Sequence, residues 1–376
     1  MWGSMRRIVF AFSLTICSFS LTFGQEVLPV LTPCTVMTMV LHDTATSMEN
    51  FFGNQAEYMV PSSLLFKVFF NSWVYSNPFT TDILEIINVD ANPSVLEQAL
   101  AANGFGAGFT TGLGWSGKGI GLGLVLSMDV YGSGTNIGDT QGLVQGKLSG
   151  ILGYSLLLIN TQTVHLTLGA DVRPYIRFLG QVGGSDFVSF TAVLAGKSTD
   201  PFLAVPVYVG ASAELNAGAL LDLNKIIKIG ITAHELTTQQ VFEETTIGLL
   251  FLSFSAAETG AVKEFYSMPL LALGAKVDVL SLLGVTGSTE VFVTVQLNDM
   301  INAFSAHDLL YEYVGCGLSL SVFNGLLKAS AGYSYNSFSF GLTVRAWIMS
   351  LEAALFTVLQ GHNPVQGFSA GVTIRF

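Results

Sequence analysis

Three glycine-centred motifs and five histidines are the residues whose types and spacing point towards chemistry. Gly367-Phe368-Ser369-Ala370-Gly371 matches the G-x-S-x-G pattern of serine hydrolases, in which a sharp strand-to-helix turn exposes the serine hydroxyl. Here the residues from Gly371 to Phe376 continue an alternating strand pattern and open no helix. Gly112-Leu113-Gly114-Trp115-Ser116-Gly117 fits the dinucleotide fingerprint, and Gly112 to Lys118 fits most of a P-loop. The next residue is Gly119, where a P-loop needs Ser or Thr to hold Mg²⁺. Glycine at every second position of adjoining strands accounts for both matches. His42, His165, His234, His307 and His362 share no spacing that would group them as metal ligands. The sequence therefore predicts no enzyme, no metal and no cofactor.

The elements that hold these residues follow from composition and periodicity. The chain has 376 residues, of which 50% are hydrophobic and only 11% charged, with 40 glycines and a net charge of −11. Soluble domains carry about 25% charged residues, so this chain has too little charge to cover a water-facing surface. Its apolar and aromatic content also excludes disorder. Fifteen basic against 26 acidic residues leave no basic stripe for nucleic acid. A membrane protein remains, built of helices or of strands.

Arg6 and Arg7, the apolar run Ile8 to Phe23 and the small-residue site before Gln25 form the pattern of a secretory signal peptide over residues 1–24. Leu14-Thr15-Ile16-Cys17 loosely resembles a lipobox, with Ile16 a poor residue before its cysteine. Without the leader, only Cys34 and Cys316 remain, and two cysteines make no disulfide framework. Whether they pair is open.

The longest stretch without Asp, Glu, Lys or Arg after the leader runs for 23 residues from Leu148 to Ala170, long enough for a spanning helix. Asn160-Thr161-Gln162-Thr163 interrupts it, with period-two sequence on both sides, which is the pattern of a hairpin. The same alternation recurs throughout. Phe338, Phe340, Leu342 and Val344 interleave with Ser337, Ser339, Gly341, Thr343 and Arg345, and Phe368 to Phe376 alternates in the same way. A strand points successive side chains to opposite faces, so each segment has one apolar face and one small or polar face. Such segments fall at about 105–115, 119–131, 143–159, 164–176, 204–217, 225–235, 246–256, 267–280, 289–299, 309–322, 326–335, 337–348, 350–358 and 367–376, an even fourteen. In lipid every backbone polar group must be paired within the protein, so strands can span only as a closed barrel. The fold expected is all-β: an antiparallel transmembrane barrel of about 14 strands over residues 105–376, in a bacterial outer membrane.

The polar faces predict the lumen. Lys147, Asp171, Arg173, Glu214, Lys228, Lys276 and Arg345 are the lumen-lining candidates, with both signs represented among many Gly, Ser and Ala. Mutual pairing of these charges is the ordinary expectation, ahead of ligand contact.

Residues 25–104 do not alternate cleanly and predict an N-terminal, partly helical hatch or plug. Asn92 as N-cap, Pro93 and the stop at Gly104 bound a helix over Val95–Ala102, and two more are expected over Leu64–Val74 and Asp82–Ile87. Eight acidic residues against Lys67 alone give this segment a balance of −7. It either fills the lumen or packs at the periplasmic mouth. Gly180–Asp200, with a short helix near Phe187–Leu194, Leu236–Thr245 and Ala256–Tyr266 are expected as loops.

Several runs are similar to the FadL/TraF-like outer-membrane barrels, most of all their short spirochaete-type members. They are Gly210 to Lys225 (GASAELNAGALLDLNK) with Ile229-Gly230-Ile231-Thr232, Val293 to Asp299, Tyr313 to Gly317, Leu327 to Tyr333, and a terminal strand ending in Phe376. The resemblance covers roughly residues 105 to 376 and is one of strand order and glycine placement. It implies a fourteen-stranded barrel with an N-terminal hatch that passes long-chain fatty acids or other hydrophobic solutes. It implies outer-membrane lipid and hydrophobic small molecules as partners, and Phe376 as the signal read by the barrel assembly machinery. None of the family's ligand-contacting residues matches a position here, so none is carried over. A surface-exposed interaction or adhesion barrel and a small-solute porin are the other functions open at this point.

Overall fold

The structure is a computed structural model and describes residues 65–76, 105–133, 141–183, 206–236, 239–246, 262–266, 269–285, 287–297, 300, 313–334, 337–360 and 363–376. Alternating sequence folds here into strands: β1 (Leu65–Ser76), β2 (Phe105–Gly117), β3 (Ile120–Ser133), β4 (Gln141–Asn160), β5 (Val164–Val182) and β6 (Pro206–Leu223). Next come β7 (Ile227–His234), β8 (Gln239–Thr246), β9 (Val262–Tyr266) and β10 (Leu270–Asp278), then a single helical turn, α1 (Val279–Leu282). The remainder is β11 (Glu290–Leu297), β12 (Val314–Val322), β13 (Leu327–Ser334), β14 (Ser337–Ala346), β15 (Met349–Gln360) and β16 (Asn363–Arg375). Among the described residues no helix is long and apolar enough to cross a membrane.

Every pairing is antiparallel, and the sheet closes on itself: β1 pairs with β16, and the other end of the order is joined by β5 to β6. β7 and β8 lie on the same side of β6, so they are successive parts of one wall strand. β10 and β9 continue one another in the same way along β7 and β8. Fourteen walls result. At the break, Ala217 pairs with Ala233 and Gly210 with Phe242, so the β7–β8 side carries two more residues than β6. Glu235 takes up this bulge with a φ of 54°, and its N–H donates to Asn216 Oδ1 at 2.9 Å.

One end of the barrel carries tight turns. Asn224 and Lys225, both at positive φ, join β6 to β7, and Asp222 accepts from the Lys225 N–H at 2.8 Å. Lys118 and Gly119 join β2 to β3 in the same conformation. The two chain ends of the barrel meet at this rim, where the Phe376 N–H donates to the Phe66 carbonyl at 2.9 Å. The longest connections, from β1 to β2 and from β5 to β6, leave the opposite rim.

Three expectations are corrected. Leu64–Val74, expected as helix, forms β1. Its sequence LFKVFFNSWVYS hides the period of two because both faces carry aromatic rings, yet Lys67, Phe69, Asn71 and Trp73 are buried while Phe66, Val68 and Phe70 are exposed. Leu236–Thr245 and Ala256–Tyr266, expected as loops, contain β8 and β9. The strand expected over 246–256 lies, beyond Thr246, outside the described residues; the fourteenth wall is β1. β1 thus divides the expected hatch, because the chain before Leu65 and the chain after Ser76 join the barrel at opposite rims. The helices expected over Asp82–Ile87, Val95–Ala102 and Phe187–Leu194 fall outside the described residues.

Candidate functional site

Antiparallel register decides which side chains turn inward. Asp171 lies opposite Asn216, Arg173 opposite Glu214 and Lys147 opposite Arg177, so one phase of β4, β5 and β6 carries all of these charges. The other phase carries Leu148, Leu152, Val172, Ile176 and Leu215, all exposed on the outer face. Gly367, Ser369 and Gly371 belong to the inward phase of β16, and Gly112, Gly114 and Ser116 to that of β2. The two catalytic-looking motifs are therefore stretches of continuous barrel wall.

On β3 to β6 the inward groups bond to one another. Arg173 donates from Nε (3.1 Å) and Nη2 (2.8 Å) to the Asp171 carboxylate, and Asn216 Nδ2 donates to the same carboxylate at 2.7 Å. Lys147 pairs with Glu214 and lies 4.7 Å from the centre of the Tyr175 ring. Arg177 donates to Gln145 at 3.0 Å, and Gln145 donates to buried Asp129 at 3.4 Å. Lys147, Arg173 and Arg177 balance Asp129, Asp171 and Glu214.

A second set of charges lies near the tight-turn rim. Lys228 and Lys276 face each other across β7 and β10, between Asp222 on one side and Thr294 on the other. Lys276 Nζ sits 3.9 Å from the centre of the Phe292 ring, a cation–π distance. Lys67 faces Arg375 across β1 and β16. Lys328 on β13 and Arg345 on β14 occupy the same inward phase, with Glu290, Asp278 and Glu352 as the acidic members.

The wall from β15 through β16 to β4 is different. Phe69, Val125 and Ile151 pack as a buried cluster, and the Trp73 and Tyr131 rings are 5.7 Å apart. Phe356 lies flat over Gly367 of the next strand, where an added Cβ would come within 2.2 Å of its ring. Replacing Gly367 by alanine will therefore drive the Phe356 ring towards the lumen and cost about 1–3 kcal/mol, as overpacking does. Unfolding in denaturant should show this loss for Gly367→Ala, and Phe356→Leu in the same chain should return most of it. No recovery would mean that the strain lies in the backbone.

Of the seven charges singled out from sequence, Lys147, Asp171, Arg173 and Glu214 come together on β4 to β6, Lys228 and Lys276 pair on β7 and β10, and Arg345 stands apart on β14. Asp129, Gln145, Arg177 and Asn216 were missed. Arg177 is in phase with Asp171 and Arg173, but the strand expected there stopped at 176, whereas β5 runs to Val182.

No family model matches the sequence, and no curated protein matches it. Solved structures do. A "TodX deltaS2S3 mutant monoaromatic hydrocarbon channel" aligns with a TM-score of 0.50 at 13% identity, over 90% of this chain and 98% of that one. The Pseudomonas putida toluene transporter TodX gives 0.48 at 11% identity over 89% and 95%. A Pseudomonas aeruginosa FadL homologue gives 0.43 at 12% identity over 86% and 93%. A closed antiparallel barrel of fourteen walls, apolar outside and charged in patches inside, makes this chain an outer-membrane β-barrel protein. Its fold is that of the FadL-like barrels.

Proposed function

We propose that the barrel lets hydrophobic solutes, long-chain fatty acids among them, pass passively across the outer membrane. The observation that carries this reading is the unequal lining of the lumen. Phe69, Trp73, Val125, Ile151 and Phe356 pack an apolar and aromatic patch on the inward side of β15 through β16 to β4, while the neighbouring charges of β3 to β6 are bonded to one another. A greasy molecule can follow this patch without breaking the ion pairs beside it. The channel names of the structures with this fold agree with the reading.

The seven charges act here as lining, and Lys147, Asp171, Arg173 and Glu214 tie β4 to β6 along the wall. Residues 25–104, apart from β1, serve as the hatch or plug. Phe376 is the residue read during assembly; its N–H donates to the Phe66 carbonyl and the two rings are 6.3 Å apart, at the β1–β16 seam.

Full-length protein in liposomes should bind labelled palmitate and a labelled neutral hydrocarbon saturably and speed their entry over protein-free vesicles. Large stable ion conductance with neither solute bound would replace this reading with a small-solute porin.

A further inference from the structure

The tips of the tight-turn rim divide into two unlike halves. From β2 round to β7 they are polar: Lys118, Asn160, Thr161, Gln162, Asn224 and Lys225 are all exposed there. From β10 round to β16 they are apolar. Leu283 and Val285 follow α1, Phe323 and Leu326 lie between β12 and β13, Trp347 lies between β14 and β15, and Phe376 ends β16. Leu283 and Phe323 are each 70% exposed and Trp347 is 99% exposed. Residues 279–289, 323–326 and 347–348 include no Asp, Glu, Lys or Arg. Backbone bonds stitch these tips side by side. The Asn324 N–H donates to the Ser288 carbonyl at 3.1 Å, the Arg345 N–H to the Leu326 carbonyl at 2.7 Å, and the Arg375 N–H to the Ile348 carbonyl at 2.8 Å. The apolar tips therefore form one arc on a fixed frame.

A contiguous exposed apolar surface marks a site where something else makes contact, and two observations name lipid as that cover. The arc continues the outward face of the wall: Leu318 and Leu320 on β12 lead to Phe323, and Leu342 and Val344 on β14 lead to Trp347, all of them exposed. Wall height is the second observation. β13 has 8 residues and β14 has 10, and the two close on each other at the far end, where Ser334 pairs with Ser337. At a rise of about 3.3 Å per residue and a tilt of about 40°, they cross roughly 20–25 Å, no more than the apolar band of about 25 Å on an outer-membrane barrel. The bilayer beside these walls thus reaches the turn. β4 and β5, with 20 and 19 residues, span about twice that band and can carry their polar turn beyond it.

We propose that the arc from α1 to Phe376 is immersed in the boundary between headgroups and acyl chains of the periplasmic leaflet, the side on which barrels of this kind carry short turns. The polar tips from β2 to β7 stand in water. The barrel is thereby seated more deeply on one side, with Trp347 as its interfacial anchor, the role in which tryptophan is enriched. This seating does not depend on which solute the lumen passes.

The test places a nitroxide on single cysteines in an otherwise cysteine-free full-length chain (C17S, C34S, C316S). The labelled variants are Leu283→Cys, Phe323→Cys and Trp347→Cys on the arc, and Lys118→Cys, Gln162→Cys and Lys225→Cys opposite. With the protein folded into phosphatidylcholine vesicles, collisions with oxygen, which concentrates in lipid, are compared with collisions with a water-soluble nickel chelate. The oxygen-to-nickel ratio should be several-fold higher on the arc than opposite it. Nickel access equal in both halves would overturn the proposal by placing the arc in water. Arc labels shielded from both reagents would overturn it by showing a protein cover, either residues 25–64 or a second copy of the chain. A high ratio at all six positions would replace the one-sided seat with a uniform girdle. Unlabelled protein gives an independent reading: the emission that Trp347→Phe removes should be quenched by phospholipids brominated on the acyl chain and spared by aqueous iodide. The reverse pattern would sink the lipid contact even if a labelled variant failed to fold.

Discussion

Replacing Asp171 by leucine is expected to destabilise the barrel by about 3–5 kcal/mol, because it leaves the Arg173 guanidinium buried without its counter-charge. The Asp171 side chain is fully buried and that of Arg173 is 8% exposed, so water cannot take over the lost bonds. Asn216 loses its acceptor as well, since its Nδ2 donates to the same carboxylate. Arg173 also lies opposite Glu214, which is already engaged by Lys147. A double variant, Asp171→Leu with Arg173→Leu, removes both charges together and should recover most of the stability, as apolar replacement of whole buried pairs does. Urea unfolding in lipid vesicles, followed by the loss of heat-modifiable migration, measures each change. A single variant as stable as wild type would mean that the pair is hydrated in the folded state and that the β4–β6 network holds no wall together.

How much of this was legible in the sequence varies from one strand to the next, for physical reasons. β14 reads cleanly because Phe338, Phe340, Leu342 and Val344 all fall on one side of the pleat and Ser, Gly, Thr and Arg on the other. β1 does not, because a strand that carries Phe69 and Trp73 inward and Phe66 and Phe70 outward is apolar on both faces. Periodicity cannot tell such a run from a buried helix. The β7–β8 wall was cut short at its bulge, because Glu235 turns to positive φ there and the polar run Thr237-Thr238-Gln239-Gln240 follows, so the apolar alternation reads as ending at Glu235. The charged lumen follows from phase alone, but the pairing does not. That Asp171 meets Arg173 two residues away on the same strand, and Asn216 across the sheet, depends on rotamers and on register that no spacing rule encodes.

The outer face gives the second large effect. Leu342→Arg is expected to cost about 2–4 kcal/mol, the penalty for a cation at the lipid midplane, whereas Trp347→Arg should cost about 0–1 kcal/mol, as near a membrane interface. Leu342 stands near the middle of β14 and is exposed on the outward face, between Phe340 and Val344. Trp347 occupies the tight turn after β14 and is 99% exposed. Both are large, apolar and outward or free, so their difference isolates depth in the bilayer from the loss of packing. The inward neighbour Thr343, opposite Lys328 and Glu352, supplies a third comparison: Thr343→Gln changes polarity only within the lumen and should cost far less than Leu342→Arg. Folding into lipid vesicles from urea gives all three values on one scale. If Leu342→Arg proved no more costly than Trp347→Arg, the apolar phase of β14 would not face acyl chains. The assignment of inside and outside would then fail for every wall, because antiparallel register ties each strand's phase to the next around the closed sheet.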